Sequence, residues 1–265
     1  MGARSGVARP ARRAHGGNRH RRQQPVRPRR NSGGLMRVVP PTTGFWTSLS
    51  DGERAALSAR GRESAFARGT PLCMEGDPST HVLVLLTGWV KVLSSTMEGH
   101  EIVLALRGPG DVIGELASDL GGYRTATVRA LLRVEALIVG ADRFNAFLDA
   151  HPGAVHVYRR VMAERQHELN RSLRTRMESS GAERFARLLL DLARRCGQVT
   201  ADGVTLAVPL SQADLASWVG VSRATVTRAL HEWRERKLVS TRDGRMIIID
   251  PVALRRIGRA PPTGS

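Results

Sequence analysis

The spacing of hydrophobic positions changes character along the chain. Between Pro71 and Ile138, short apolar runs alternate with Gly, Pro and Asp turns. The runs occupy residues 81–86, 90–93, 102–106, 112–113, 125–130 and 137–139, with Glu98-Gly99 placed as a hairpin turn. Many short strands without long helices between them predict a β sandwich or barrel and not a parallel sheet. Ahead of them, Ser50 followed by Glu53 has the spacing of a capping box, so a compact domain should open near Thr47 with a helix.

After residue 149 the period becomes helical. Pro152 suits a first helical turn, and the pattern runs to Ser179. Val155, Tyr158, Met162, Leu169, Leu173 and Met177 recur at steps of three, four or seven, with Arg165 and Arg176 near the same seam. A helix this long suits a partner helix, most simply its own copy in a parallel homodimer through residues 152–179. The alternative is a linker packed on its own sandwich. A second amphipathic helix spans 183–195 with Phe185, Leu188, Leu189 and Leu192, and Cys196 follows as a core thiol. A strand over 204–208 leaves the Asp202-Gly203 turn.

Residues 209–249 carry the strongest local signal. Ser211 caps a short helix from Gln212 to Val219, with Asp214 at the reciprocal position. Gly220 ends it, Val221 fills the corner, and Ser222 caps a second helix to about Arg234. Ala213, Leu215 and Ala216 should meet Val226 and Leu230, which makes a helix-turn-helix. The second helix then turns Arg223, Ala224, Thr227 and Arg228 outward, where an arginine fork matches guanine O6 and N7. Ser211, Gln212, Ser222 and Thr225 complete the expected DNA-facing set, since capped helix N-termini accept phosphate. Asp243-Gly244 turns a following hairpin, a wing with Arg242 and Arg245 for phosphate contact.

Composition changes this picture less than its totals suggest. The 265 residues include 41 Lys plus Arg against 24 Asp plus Glu, a net charge of +17. Eleven arginines and no acid fall before Asp51, so that excess sits mostly in a Gly- and Pro-rich segment that cannot bury a core. Residues 1–44 read either as a basic arm adding phosphate contacts or as sequence upstream of a true start at Met36. No apolar stretch is long enough for a transmembrane helix, and no secretory signal is evident. Two cysteines, Cys73 and Cys196, exclude a disulfide scaffold and cannot by themselves hold a structural metal, so a cytoplasmic setting is expected. No nucleophile–base or metal-ligand cluster points to an enzyme.

One stretch is not explained by core packing. Gly114-Glu115-Leu116-Ala117 is followed, after a gap of six, by Arg124-Thr125-Ala126. Glycine amides, an arginine and a hydroxyl can cradle an anion. Glu115 either accepts from sugar hydroxyls beside that anion or pairs with Arg124 to close a loop.

Over residues 45–250 the chain resembles the cyclic-AMP receptor protein (Crp/Fnr) family of bacterial transcription regulators. The resemblance rests on the order of sandwich, long helix and winged helix-turn-helix, on the Gly114-Glu115 to Arg124-Thr125-Ala126 cassette, and on the corner Val219-Gly220-Val221-Ser222-Arg223. It implies an α+β protein: a cyclic-nucleotide-binding-type sandwich (45–150), a dimerisation helix (151–180), a DNA-binding domain (181–250) and a tail (251–265). It further implies that Arg124 and Thr125 hold a cyclic phosphate and Glu115 a ribose hydroxyl, with Gly114 and Ala117 lining the pocket. Cyclic AMP is the first candidate effector and cyclic GMP the second. Partners would be double-stranded DNA carrying an inverted repeat, a second copy of the chain, and RNA polymerase. Two departures stand out. Leu169-Asn170 occupies the place of a threonine–serine pair that touches adenine, leaving Asn170 alone able to bond a purine edge. Ala224 stands where the best-known recognition helices carry glutamate, which removes an acceptor for cytosine N4. Family branches that sense oxygen or gases use clustered cysteines or haem; two cysteines are too few for the first, and no histidine sits in a haem motif.

Overall fold

The computed structural model describes residues 44–78, 80–115 and 122–259. The expected basic arm up to residue 43, Ala117, and residues 260–265 lie outside the described residues.

Two short helices lead in, α1 (Phe45–Ser48) and α2 (Asp51–Ser58), the latter closed by the reciprocal Ser50–Glu53 capping box. Among the described residues eight strands follow: β1 (Gly61–Phe66), β2 (Pro71–Cys73), β3 (His81–Thr87), β4 (Val90–Ser95), β5 (Glu101–Arg107), β6 (Val112–Ile113), β7 (Thr127–Ala130) and β8 (Val134–Gly140). They pair antiparallel in two sheets, β1-β8-β3-β6 and β2-β7-β4-β5, the expected sandwich. The central strand β3 explains its unbroken apolar sequence. Leu83 and Leu85 face the other sheet with Val90, Val128 and Val134, while Val82 and Val84 face the helices with Phe45, Leu57 and Phe144. A strand buried on both faces loses the polar alternation of a half-exposed one.

Helix α3 (Ala141–Ala150) follows directly on β8 and buries Phe144 and Phe147; the sequence reading placed no helix there. Helix α4 (Pro152–Glu178) matches the expected long helix, but its apolar seam divides. Tyr158 and Met162 pack with Val161 against the sandwich, whereas Leu169, Leu173 and Met177 are exposed by 55, 52 and 88%. The N-terminal half of α4 thus packs on its own sandwich, and the C-terminal half leaves its apolar residues exposed.

The C-terminal part consists of α5 (Gly181–Cys196), the hairpin β9 (Gly197–Thr200) and β10 (Gly203–Leu206), α6 (Gln212–Val219), α7 (Arg223–Glu235), the hairpin β11 (Val239–Arg242) and β12 (Arg245–Ile248), and α8 (Pro251–Ile257). Its strands form one sheet, β11-β12-β10-β9. Its core stacks Phe185 on Trp233 and buries Leu189, Leu192, Leu215, Val226 and Leu230. Ala213, expected in that core, is exposed; Leu215 and Ala216 make the crossing without it. Residues 251–257, expected as a tail, are a helix that buries Leu254 in the same core. Trp89, Leu106 and Leu131 of the sandwich belong to this cluster too, so the helix-turn-helix unit is seated on the β4–β5 side of the sandwich. Among the described residues no helix is long and apolar enough to cross a membrane.

Candidate functional site

Gly114 follows β6 with φ +85°, and a Cβ there would stand 1.8 Å from Arg124 Nη1. Only glycine leaves room for the guanidinium. Arg124 is 4% exposed; its Nη2 donates to His81 O at 2.7 Å and its Nη1 to Gly114 O at 3.3 Å. No carboxylate pairs with it among the described residues. A buried guanidinium with only carbonyl partners keeps a strong positive field for an anion. Burial, then the Arg124 and Arg62 charges, lower the His81 pKa, so its ring does not add to that field at neutral pH. The exposed Thr125 stands beside it on the cavity wall.

Glu115 does not close a loop with Arg124. Its Oε1 accepts from Arg165 Nη1 at 2.5 Å, and Arg165 Nη2 also donates to Val112 O at 2.7 Å. Arg165, read from sequence as a residue near the dimer seam, instead turns from α4 onto the sandwich. Its partner lies 50 residues away, and no local pattern signals it. The cavity that these groups border measures about 1060 Å³. Sandwich strands, α4 and α5 wall it, and so do Trp218 and Val219 of α6. Asn170 is exposed and does not line it, whereas Leu169 does. Among the described residues no group of three or more His, Cys, Asp or Glu could hold a metal ion.

The second candidate surface is on α6 and α7. The Ser211–Asp214 capping box forms as spaced, Gly220 takes the left-handed conformation (φ 72°) and Ser222 caps α7. Arg223, Ala224, Thr227 and Arg228 are all exposed on one side of α7. Thr227 Oγ1 donates to Gln212 Oε1 at 2.8 Å, which fixes the two helix starts side by side. Thr225 spends its amide and hydroxyl on Ser222 and is half-buried, so it belongs to the cap more than to the outward row. On the wing Arg245 is exposed, while Arg242 pairs with Asp202 at 2.5 Å.

Comparison with known proteins assigns both parts. Residues 63–151 match the cyclic nucleotide-binding domain model, and residues 183–257 match the Crp-like helix-turn-helix domain model. The chain is 31% identical over 192 residues to the global nitrogen regulator of Synechococcus elongatus, covering 71% of this chain and 86% of that one. The chain belongs to the Crp/Fnr family. A second Crp/Fnr relative, the CRP-like cAMP-activated global transcriptional regulator of Mycobacterium tuberculosis, is 28% identical over 224 residues, 84% of this chain and all of that one. The crystal structure of a CRP-family transcriptional regulator from Thermus thermophilus superposes with a TM-score of 0.65 at 23% identity, over 75% of this chain and 97% of that one. These domains and relatives are those of transcription regulators and not of enzymes.

Crp/Fnr membership does not by itself describe how the DNA-reading head is held in this chain. Lys91 Nζ of β4 donates to Asp214 Oδ1 of α6 at 2.6 Å, with the two side chains 12 and 15% exposed. Val103 N–H of β5 donates to Ser217 Oγ of α6 at 3.3 Å. Sequence reading gave Asp214 a capping role only; its tie to one of the chain's two lysines spans 123 residues.

Proposed function

We propose that this transcription regulator works as a homodimer that reads an inverted repeat in double-stranded DNA under control of a cyclic nucleotide or similar small anion. Cyclic AMP and cyclic GMP are the first candidates. One observation carries the reading: Arg124 is buried, without a carboxylate partner among the described residues, in a cavity whose wall includes Trp218 and Val219 of the helix-turn-helix. Arg124 and Thr125 hold the phosphate, Glu115 accepts from the sugar once Arg165 yields it, and Gly114 keeps the space open. Arg223, Thr227 and Arg228 face the major groove; Ser211, Gln212, Ser222 and Arg245 meet the backbone. The exposed Leu169, Leu173 and Met177 supply the dimer seam along α4. Transcription regulation makes RNA polymerase the downstream partner and the cytoplasm the compartment.

Selection from a randomised DNA library with and without cyclic AMP or cyclic GMP, with sedimentation on the same sample, tests this. A dimer should select two half-sites about 34 Å apart. Arg223→Ala should weaken specific binding about 10- to 100-fold and leave the salt-dependent non-specific binding nearly intact. Thr125→Val should blunt the nucleotide response. Selection by a monomer refutes the dimer. Selection indifferent to every nucleotide supports the other reading, a differently triggered regulator whose cradle is structural; the occupation of Glu115 by Arg165 favours that alternative.

A further inference from the structure

The cavity beside Arg124 is larger and more basic than one cyclic phosphate requires. Its volume of about 1060 Å³ lies just above the range that drug-sized ligands fill. Among the described residues, eight arginines line it against three carboxylates, Glu115, Glu168 and Asp191. Arg165 engages Glu115, and Arg194 engages Asp191. Arg107 of β5 and Arg195 of α5 both pair with Glu168, while Asp111, which also pairs with Arg165, places its charge beside Arg107. The Arg107 side chain is 14% exposed. Burial, then the neighbouring Arg165 charge, pull its guanidinium below the ordinary arginine range, against the opposing charges of Asp111 and Glu168. The cavity therefore has two basic poles on different elements, Arg124 and the Arg107–Arg195 pair. Leu104, Leu188 and Trp218 add apolar wall against which a base can pack.

We propose that the cavity takes a nucleotide with two separated phosphate groups, one held by Arg124 and Thr125 and the other between Arg107 and Arg195. A cyclic dinucleotide is the compact form of that chemistry. The second phosphate takes over the role that Glu168 plays between the two guanidinium groups in this structure. This rests on the reading of Arg124 and Thr125 as a phosphate cradle, and it adds a second subsite to it.

Calorimetric titration of the full chain with cyclic AMP, cyclic di-GMP, cyclic di-AMP and guanosine tetraphosphate tests it. At least one two-phosphate nucleotide should bind tenfold or more tightly than cyclic AMP. Arg195→Gln should weaken that ligand at least tenfold and change cyclic AMP affinity less than twofold. Glu168→Gln, which removes the competing internal anion, should tighten it severalfold; a purely structural role for Glu168 predicts the opposite sign. If Arg195→Gln does not fold, the sign of the Glu168→Gln effect decides. Binding of cyclic AMP alone overturns the second subsite and leaves the cradle standing. Equal losses for both ligand classes on Arg195→Gln also overturn it, as does a two-phosphate ligand indifferent to both variants. Absence of binding by any nucleotide overturns the cradle reading as well.

Discussion

Lys91 and Asp214 offer the sharpest test of how the DNA-reading head is held. The pair joins strand β4 to helix α6 at 2.6 Å, with both side chains largely out of water. Removing one member of a buried pair costs about 3–5 kcal/mol when the other is left bare. Asp214 is not left bare, because Ser211 still donates from its amide at 3.0 Å and its hydroxyl at 2.8 Å. The expected cost of Lys91→Met is therefore nearer 1–3 kcal/mol, the range for one charge-assisted hydrogen bond. For a chain of this size, 1 kcal/mol moves Tm by about 2–4 °C, so a shift of several degrees should appear in the head's own transition. A double-mutant cycle of Lys91→Met and Asp214→Asn isolates the pair, since Asn keeps an acceptor for the α6 cap; a coupling of about 1–3 kcal/mol is expected. The pH dependence follows from the same contacts. Burial alone would raise the Asp214 carboxyl, but the Lys91 and Ser211 hydrogen bonds outweigh it and hold the pKa below the ordinary value. Its contribution is complete above the ordinary value and is lost as pH falls below about 4, through the lower folded value. Hydrogen exchange at α6 should accelerate in Lys91→Met while β3 amides stay protected. A coupling under about 0.5 kcal/mol, or no change at α6, refutes the seating of the head through this pair.

Three further outcomes can be checked alongside. Gly114→Ala puts a Cβ 1.8 Å from Arg124 Nη1 at a φ that disfavours side chains, so it should cost about 1–3 kcal/mol and abolish nucleotide binding; unchanged binding in calorimetry counts against the cradle. Arg187 donates to Ser179 Oγ at 2.6 Å and to Gly258 O, and its Nη2 stands 3.9 Å from Glu183 Oε2, a buried oxygen without a hydrogen-bond partner among the described residues. Arg187→Ala should lower stability by about 2–3 kcal/mol in thermal melts, and adding Glu183→Gln should recover part of it by neutralising a stranded buried charge. Burial pushes the Cys196 thiol up to about 12, so a thiol reagent at pH 8 should label it only at the rate of local or global opening; labelling as fast as a free peptide thiol would mean the head core is not closed.

How far the sequence carries the fold depends on where each signal is written. The helix-turn-helix is legible because its determinants are local: caps at Ser211 and Ser222 and a left-handed Gly220 set the boundaries before any tertiary contact forms. Strand β3 is legible because burial on both faces writes an unbroken apolar run. Strand β1 is not, since its residues are mostly exposed or half-buried and its pairing with β8 rests on backbone bonds. Helix α3 is held by Phe144 and Phe147 three residues apart, too few anchors to show a period. The cradle divides in the same way. Gly114, Arg124 and Thr125 are readable as a cassette, whereas the partners Arg165 for Glu115 and Lys91 for Asp214 depend on tertiary packing.

The placement of Trp218 and Val219 in the cavity wall bears on how an effector could act at all. A ligand shifts an equilibrium only by its difference in affinity between the states, so tight binding confined to the sandwich would leave the head where it is. Here one wall of the cavity belongs to α6 itself, the helix that Lys91 and Val103 hold against the sandwich. A ligand that fills that end makes different contacts with a docked head than with a released one, so differential affinity is built into the wall. A tenfold preference is worth about 1.4 kcal/mol, comparable to the one hydrogen bond between Lys91 and Asp214. Weakening that bond should therefore change the concentration of any such ligand needed for DNA binding, even though neither residue lines the cavity. An effector response in Lys91→Met identical to that of the unaltered chain would show that docking and ligand binding are independent.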